Sequence, residues 1–157
     1  MTVLLTGGAG YIGSHVAVEL LQSGYDVIIA DNFYNSSQEV PKRIRKITGK
    51  SVRTYNVDIQ NSAALEQIFK QHEINAVMHF AGYKAVGESV QQPLKYYRDN
   101  LDSTLTLLET MGKYQAKSLI FSSSATVYGN PSIHPRCRLQ KRVPLATSQA
   151  HMDGRSI

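Results

Sequence analysis

TVLLTGGAGYIG, residues 2–13, joins an apolar run to a turn that contains four glycines. TVLLT is apolar and rich in β-branched residues, which predicts a buried strand over Thr2–Thr6. Apolar residues then recur at helical spacing over Tyr11–Gln22, and Gly24 is positioned to end that helix in a left-handed conformation. A strand, a glycine-rich turn and a helix in this order are typical of the first unit of a parallel α/β sheet.

The rest of the chain repeats this alternation of strands and helices. Further strands are predicted at Asp26–Asp31, 52–58, 76–82 and 118–124, and helices at 37–47, at 62–71 after an Asn61 cap, and at Pro93–Lys113. Strands linked by helices in this way form right-handed crossovers. The predicted fold is therefore α/β, a Rossmann-type doubly wound parallel sheet, in a chain whose 157 residues suit one domain.

The glycine-rich turn, residues 7–13, suits an anionic ligand. Glycines after a first strand allow a tight turn, let the backbone approach a pyrophosphate, and let the helix pack against the sheet. The alternative is a turn with a close-packed helix and no ligand. Asp31 favours the dinucleotide interpretation, because it lies 18 residues after Gly13, where a carboxylate accepts hydrogen bonds from ribose hydroxyls. It would also repel a phosphate, which favours NAD over NADP, and Asn32, Asn35 and Ser36 add polar groups beside the adenosine half.

Other polar residues have two interpretations each. Asp58 follows the third strand and either faces an adenine edge or serves as a turn aspartate. His79 lies among apolar neighbours, which favours a hydrogen-bonded core histidine over a catalyst, and His15 fits an ordinary helix position. No group of His, Cys, Asp and Glu has the spacing of metal ligands, so no metal site is predicted.

Charge and composition exclude several classes of partner. The net charge is +5, but from residue 131 onward the chain has five basic residues and one acidic residue, without any aromatic residue that could stack on a base. Nucleic acid is therefore not expected as a partner. No apolar run approaches the length of a membrane span, no secretory signal is visible, and Cys137 is the single cysteine. We expect a cytoplasmic protein.

Four separated motifs carry a family resemblance: GGAGYIGSH, DNFYNSS, HFAGYKAVGESVQQPLKYY and FSSSATVYG. Together they resemble the extended short-chain dehydrogenase/reductase family and, within it, the UDP-hexose 4-epimerases, in register from residue 1 to about residue 130. The resemblance implies interconversion of UDP-glucose and UDP-galactose. In that reaction a bound NAD takes hydride from C4 of the sugar and returns it to the opposite face. It also implies a homodimer.

The resemblance assigns roles where positions match. The glycine turn and the start of the first helix would contact the pyrophosphate, and the residues after the second strand would bind the adenosine ribose. Asp58 and Ile59 would flank adenine. The loop after the fourth strand would line the other half of the cofactor, with Lys84 near the nicotinamide ribose. The cofactor residues implied are Gly7, Gly10, Tyr11, Ile12, Gly13, Asp31, Asn32, Asn35, Ser36, Asp58, Ile59, Phe80, Ala81, Gly82, Lys84 and Asp99. Ser124 would hydrogen-bond the reacting sugar oxygen as the catalytic serine.

The chain departs from the family pattern in two places. Asp99 stands where family members usually carry asparagine, and its carboxylate either weakens cofactor contacts or points outward. The family's catalytic Tyr-x-x-x-Lys motif is absent: no tyrosine follows Tyr128, whose fourth following residue is Ser132. The sequence resembles about the first two fifths of the enzyme, without the substrate-binding lobe, and we expect an inactive fragment.

The segment 131–157 changes composition abruptly and lacks strand or helix periodicity, so we expect an aberrant, disordered tail after a dinucleotide-binding domain at 1–130. Codons permitted for its last residues, HMDGRSI, read Tyr-Gly-Arg-Thr-Lys-Tyr in a shifted frame. That hexapeptide contains the missing motif near residue 151, which suggests a frameshift. Three functions stay open: an epimerase or related sugar-nucleotide dehydratase or reductase that has lost its chemistry, a free-standing NAD-binding module, and a tail that docks on a partner.

Overall fold

The computed structural model describes residues 1–123, and within them the predicted parallel sheet is confirmed. Its five strands are β1 (Thr2–Thr6), β2 (Asp26–Asp31), β3 (Arg53–Asn56), β4 (Ala76–His79) and β5 (Ser118–Phe121). All neighbouring pairs are parallel, and the spatial order is β3-β2-β1-β4-β5. The order reverses at β1, which lies between β2 and β4. Ser124 and the segment 131–157 lie outside the described residues.

Five helices connect the strands and cover both faces of the sheet: α1 (Tyr11–Gln22), α2 (Val40–Thr48), α3 (Ser62–Gln71), α4 (Val86–Gln91) and α5 (Pro93–Lys113). Alternate residues of β1 point to opposite faces, so Leu4 packs with α3 and α5 while Val3 and Leu5 pack with α1 and α2. Because both faces are buried, β1 and β2 are nearly continuous apolar runs. No helix in residues 1–123 combines the length and apolar character needed to cross a membrane.

The predicted ends of α1 and α3 are confirmed by their backbone contacts. Gly24 has φ +86° after α1, and its amide donates to the Leu21 carbonyl at 3.2 Å while the Tyr25 amide donates to Leu20 at 3.0 Å. This pair of bonds is a Schellman motif, which places a glycine where a left-handed residue is required. At the start of α3, the Asn61 side chain accepts from the Ala64 amide at 3.1 Å.

Other predicted boundaries are wrong. The second helix begins at Val40 rather than residue 37, because Pro41 has no amide proton to donate to the carbonyl of Ser37 and fits only in the first turn. The short helix α4 was not predicted. The strands β3 and β4 are shorter than predicted, since their chains turn at Asp58 and at Gly82, and β5 ends at Phe121.

The apolar run within 118–124 predicts a buried strand, but β5 is largely exposed. Ile120 is 56% exposed and Phe121 is 54% exposed, because β5 pairs only with β4 within residues 1–123. At the carboxyl end of the sheet, Tyr11 and Ile12 are exposed as well.

Candidate functional site

A crevice lies at the carboxyl ends of β1, β2 and β4, where the strand order reverses. Open α/β sheets bind their ligands at this position, because the loops after the two outer strands diverge to opposite faces and leave a gap above the central strand. The crevice walls are the glycine turn after β1, the loop after β2, the loop after β3 and the loop after β4.

The glycine turn brings three backbone segments into direct contact. Gly7 has φ +68° and donates its amide to the Ala30 carbonyl at 2.8 Å, and a Cβ on Gly7 would lie 2.5 Å from the Ala81 nitrogen. A Cβ on Gly13 would lie 2.6 Å from the Gly7 carbonyl oxygen. Glycine is therefore required at Gly7 by conformation and close approach, and at Gly13 by the packing of α1 against the turn.

The start of α1 fits an anion. Gly10 is the N-cap, no side chain caps the helix, and no acidic residue lies in its first turn. The first amides of a helix have no partner within the helix, and the helix dipole favours negative charge there. Lys84 is the one basic residue among those that line the crevice within the described part of the chain. These groups match a pyrophosphate.

Asp31 is fixed at the end of β2 by three hydrogen bonds. Its Oδ2 accepts from the Ala9 amide at 2.9 Å, and its Oδ1 accepts from the Phe33 amide and from the Ser36 hydroxyl, both at 2.9 Å. The side chain is 6% exposed. A carboxylate offers about four acceptor positions, so one position on Oδ2 stays available to a ribose hydroxyl.

Asp58 and Asp99 add two further carboxylates to the crevice. Asp58 accepts from the Gln60 amide at 2.9 Å, as a turn aspartate does, and also from the Asn32 side chain at 3.2 Å. The Asp99 carboxylate accepts from the Gln60 side chain at 3.4 Å and lines the crevice rather than pointing outward. Burial, with a smaller effect of the Asp99 carboxylate, raises the pKa of Tyr83 at the same wall.

His79 is the hydrogen-bonded core histidine that the sequence favours. Its Nδ1 lies 2.5 Å from the Thr6 hydroxyl and its Nε2 lies 3.3 Å from the Thr104 hydroxyl, so both ring nitrogens have partners. Burial, with a smaller contribution from the Lys84 charge, lowers the pKa of His79 to about 4. The imidazole is therefore neutral at physiological pH. His15 is exposed on α1 and hydrogen-bonds the Tyr11 carbonyl at 2.7 Å.

The structure brings the sequence-predicted cofactor residues together. Fifteen of the sixteen line the crevice, and the other, Ser36, lies behind it on Asp31. Sequence reasoning missed several lining residues that follow strands β2, β3 and β4: Tyr34, Val57, Gln60 and Tyr83. Their positions directly after predicted strands were the available signal. Residues 1–123 contain no cluster of three or more His, Cys, Asp or Glu able to hold a metal ion.

The family follows from comparison with known proteins. Residues 3–152 match the model of the NAD dependent epimerase/dehydratase family. The chain therefore belongs to this family. The family is NAD dependent by name, and two solved relatives, the UDP-glucose 4-epimerases of Bifidobacterium longum and Brucella ovis, contain bound NAD.

Individual relatives are similar over the first part of their length. The chain is 55% identical over 135 residues to UDP-glucose 4-epimerase of Bacillus subtilis and 55% identical over 139 residues to that of Mus musculus, covering 86% and 85% of this chain and 40% of each relative. The crystal structure of the Bifidobacterium longum UDP-glucose 4-epimerase, in complex with NAD+ and UDP, superposes with a TM-score of 0.85 at 46% identity, covering 98% of this chain and 48% of that one. The chain thus spans about 40% of the length of its curated relatives.

Proposed function

We propose that this chain supplies the NAD-binding part of a UDP-glucose 4-epimerase, which interconverts UDP-glucose and UDP-galactose. The observation that carries the proposal is the crevice itself, in which fifteen residues named from the resemblance converge at the reversal of strand order. The identity of about 55% to UDP-glucose 4-epimerases favours this reaction over the related dehydratases and reductases. A free-standing NAD-binding module is the second candidate, because the crevice within residues 1–123 already contains the groups that would bind the dinucleotide.

Different crevice residues bind different parts of the cofactor. Asp31 and the loop after β2 hold the adenosine ribose, Asp58 and Ile59 flank adenine, the start of α1 binds the pyrophosphate, and Lys84 approaches the nicotinamide ribose. NAD, when bound, supplies the acceptor and donor of hydride for the reversible oxidation at C4 of the sugar. Three carboxylates line this crevice, so α1 and Lys84 are the groups that attract the phosphates.

Two further groups would act on the sugar: a serine hydroxyl and a tyrosine acid/base. Ser124, which lies outside the described residues, would hydrogen-bond the reacting oxygen of the sugar. The acid/base would come from a Tyr-x-x-x-Lys motif encoded in a shifted frame near residue 151, followed by the substrate-binding lobe. There the lysine and the cationic nicotinamide would lower the pKa of the phenol toward working pH.

Asp31 should set the preference for NAD over NADP. We expect the parent chain to bind NAD more tightly, because the 2′-phosphate of NADP would meet a buried carboxylate. Asp31→Ala should weaken NAD binding by about 10- to 150-fold and narrow the advantage of NAD over NADP, since it removes one charge-assisted hydrogen bond worth about 1.5–3 kcal/mol. Isothermal titration calorimetry with both cofactors measures the two affinities.

Asp26→Ala is the matched control for this test. Asp26 is an exposed aspartate at the opposite end of the same strand, so its loss should leave both affinities unchanged. Equal affinities for NAD and NADP in the parent chain would refute the assignment of Asp31 to the ribose.

We also propose a homodimer through α4 and α5. Both helices carry a stripe of exposed apolar residues at helical spacing: Val86, Val90, Leu94, Tyr97, Leu101, Leu105 and Leu108. Monomeric proteins rarely expose so continuous an apolar surface, and a self-complementary helix pair about a two-fold axis would cover it. A second copy of the chain is the partner that the family resemblance implies.

The double substitution Leu101→Glu and Leu105→Glu should convert the dimer to a monomer, because it places charges in the apolar contact. Sedimentation velocity at micromolar concentration measures the change. Ile47→Glu, on an equally exposed apolar residue of α2, is the control and should leave the dimer intact. A parent chain that sediments as a monomer would contradict the dimer proposal without bearing on NAD.

A further inference from the structure

Two tyrosines meet across the top of the crevice. Tyr34 lies in the loop after β2 and Tyr83 lies in the loop after β4. Their ring centroids are 5.0 Å apart at an interplanar angle of 76°, which is the edge-to-face geometry that aromatic pairs prefer. Because β2 and β4 flank β1, this contact spans the carboxyl end of β1 and the glycine turn that follows it. We call Tyr34 and Tyr83 the aromatic strap.

A fixed cation and a second tyrosine support the strap from α5. The Lys95 ammonium lies 5.4 Å from the Tyr34 centroid and 5.0 Å from the Tyr83 centroid, within the range of cation–π attraction to both rings. Glu88 holds that ammonium at 2.8 Å and also accepts from the Tyr96 hydroxyl at 2.9 Å. The Tyr96 ring in turn packs 5.6 Å from the Tyr83 ring.

The two halves of the strap are held differently. The Asn100 side chain accepts from the Tyr83 amide at 2.8 Å and donates to the Tyr83 carbonyl at 3.2 Å, which fixes the backbone of that residue. Tyr34 is 61% exposed and sits in a loop whose polar anchors are Asp31 and Asn32. The Tyr83 loop is therefore anchored to α5, whereas these hydrogen bonds of the Tyr34 loop run within the loop and to the end of β2.

We propose that the aromatic strap closes over the pyrophosphate of bound NAD and slows its dissociation. This inference rests on the proposed function, because it takes the dinucleotide to cross the glycine turn below the two rings. A ligand that lies across β1 with its ends under the loops after β2 and β4 leaves only when those loops part. Separating them breaks the contact of Tyr34 with Tyr83 and the shared contact of both rings with Lys95.

The test is the dissociation rate of NADH from the full chain, followed by loss of its fluorescence after mixing with excess NAD. Tyr34→Ala and Tyr83→Ala should each release NADH about three- to tenfold faster, the factor set by one lost aromatic pair. Tyr34→Phe keeps the ring and should stay within about twofold of the parent. Tyr25→Ala removes a tyrosine just before β2, at the amino end of the sheet and away from the crevice, and should leave the dissociation rate unchanged.

The double variant Tyr34→Ala with Tyr83→Ala separates a strap from two independent contacts. If the rings act on each other, the double variant releases NADH no faster than the faster single variant, since each single change already opens the strap. Unchanged rates in both single variants, or effects that multiply in the double variant, would overturn the strap while leaving NAD binding in place. A parent chain that binds neither NADH nor NAD would overturn the strap and the proposed function together.

Discussion

These 157 residues, assayed alone, should show no conversion of UDP-galactose to UDP-glucose. The sequence holds no Tyr-x-x-x-Lys motif, and a serine such as Ser124, proposed above to hydrogen-bond the sugar oxygen, cannot act as the phenolate that removes its proton. General acid–base participation contributes about 10²–10⁴-fold to a rate, and the positioning of substrate by a second lobe contributes more. A coupled assay for UDP-glucose formation on the purified chain measures the result.

The matched comparison is the same coding sequence with its frame changed after residue 130. We expect it to encode Tyr-Gly-x-Thr-Lys near residue 151, to continue into a second lobe, and to restore turnover with NAD retained. Turnover by the original 157 residues would show that another group serves as the acid/base. A coding sequence without the motif in any nearby frame would refute our account of residues 131–157.

Gly7→Ala should abolish NAD binding and lower the free energy of unfolding by about 2–5 kcal/mol. The left-handed backbone at φ +68° costs a residue with a Cβ about 1–2 kcal/mol. The added Cβ would also lie 2.5 Å from the Ala81 nitrogen and 2.8 Å from the Phe80 carbonyl carbon, which are backbone atoms, and overpacking costs about 1–3 kcal/mol. Urea unfolding and calorimetric titration with NAD measure the two effects.

Substitutions at two other glycines separate the effect of the close backbone contact at Gly7 from the effect of its left-handed conformation. Gly24 has the same left-handed requirement at φ +86°, but a Cβ there would meet open space. Gly24→Ala should therefore lower the free energy of unfolding by about 1–2 kcal/mol, and the variant should still bind NAD. Gly112 lies in helix α5, and a Cβ there would also meet open space. Gly112→Ala should therefore raise the free energy of unfolding by about 0.5–1 kcal/mol. If Gly7→Ala were as stable as Gly24→Ala and bound NAD, the turn would not contact the loop after β4 as described.

The elements with strong sequence patterns were predicted to the residue. TVLLT and DVIIAD are short apolar runs bounded by polar or glycine residues, and Pro93 marks a first helical turn whose apolar spacing continues to Lys113. These local signals agree with the tertiary structure, because β1 and β2 are buried on both faces. Prediction was wrong where neighbours decide the outcome: the exposure of β5 depends on which strand lies beside it, and no sequence pattern within SLIF reports that.

In the candidate site, too, the sequence predicts some residues but not the contacts that depend on tertiary packing. The glycines and Asp31 were predictable, since a turn with a close backbone contact and a carboxylate at a strand end have recognisable spacing. The contact between Tyr34 and Tyr83 was not, because it depends on β2 and β4 lying on either side of β1. Asn100 likewise acts on a backbone group 17 residues earlier in the chain, through a side chain whose direction only the packed helix α5 determines.

The central position of β1 has a consequence for how the chain folds. Its register joins Val3 to Val27 on one side and to Ala76 on the other, so the second pairing closes a loop of more than seventy residues. Closing so long a loop costs chain entropy before any native contact can offset that cost, and parallel sheets of this kind therefore form slowly. During synthesis, β1 and β2 leave the ribosome well before β4. The pocket for the dinucleotide therefore exists only after β4 has been made and inserted, and NAD can stabilise the assembled sheet but cannot template its first strands.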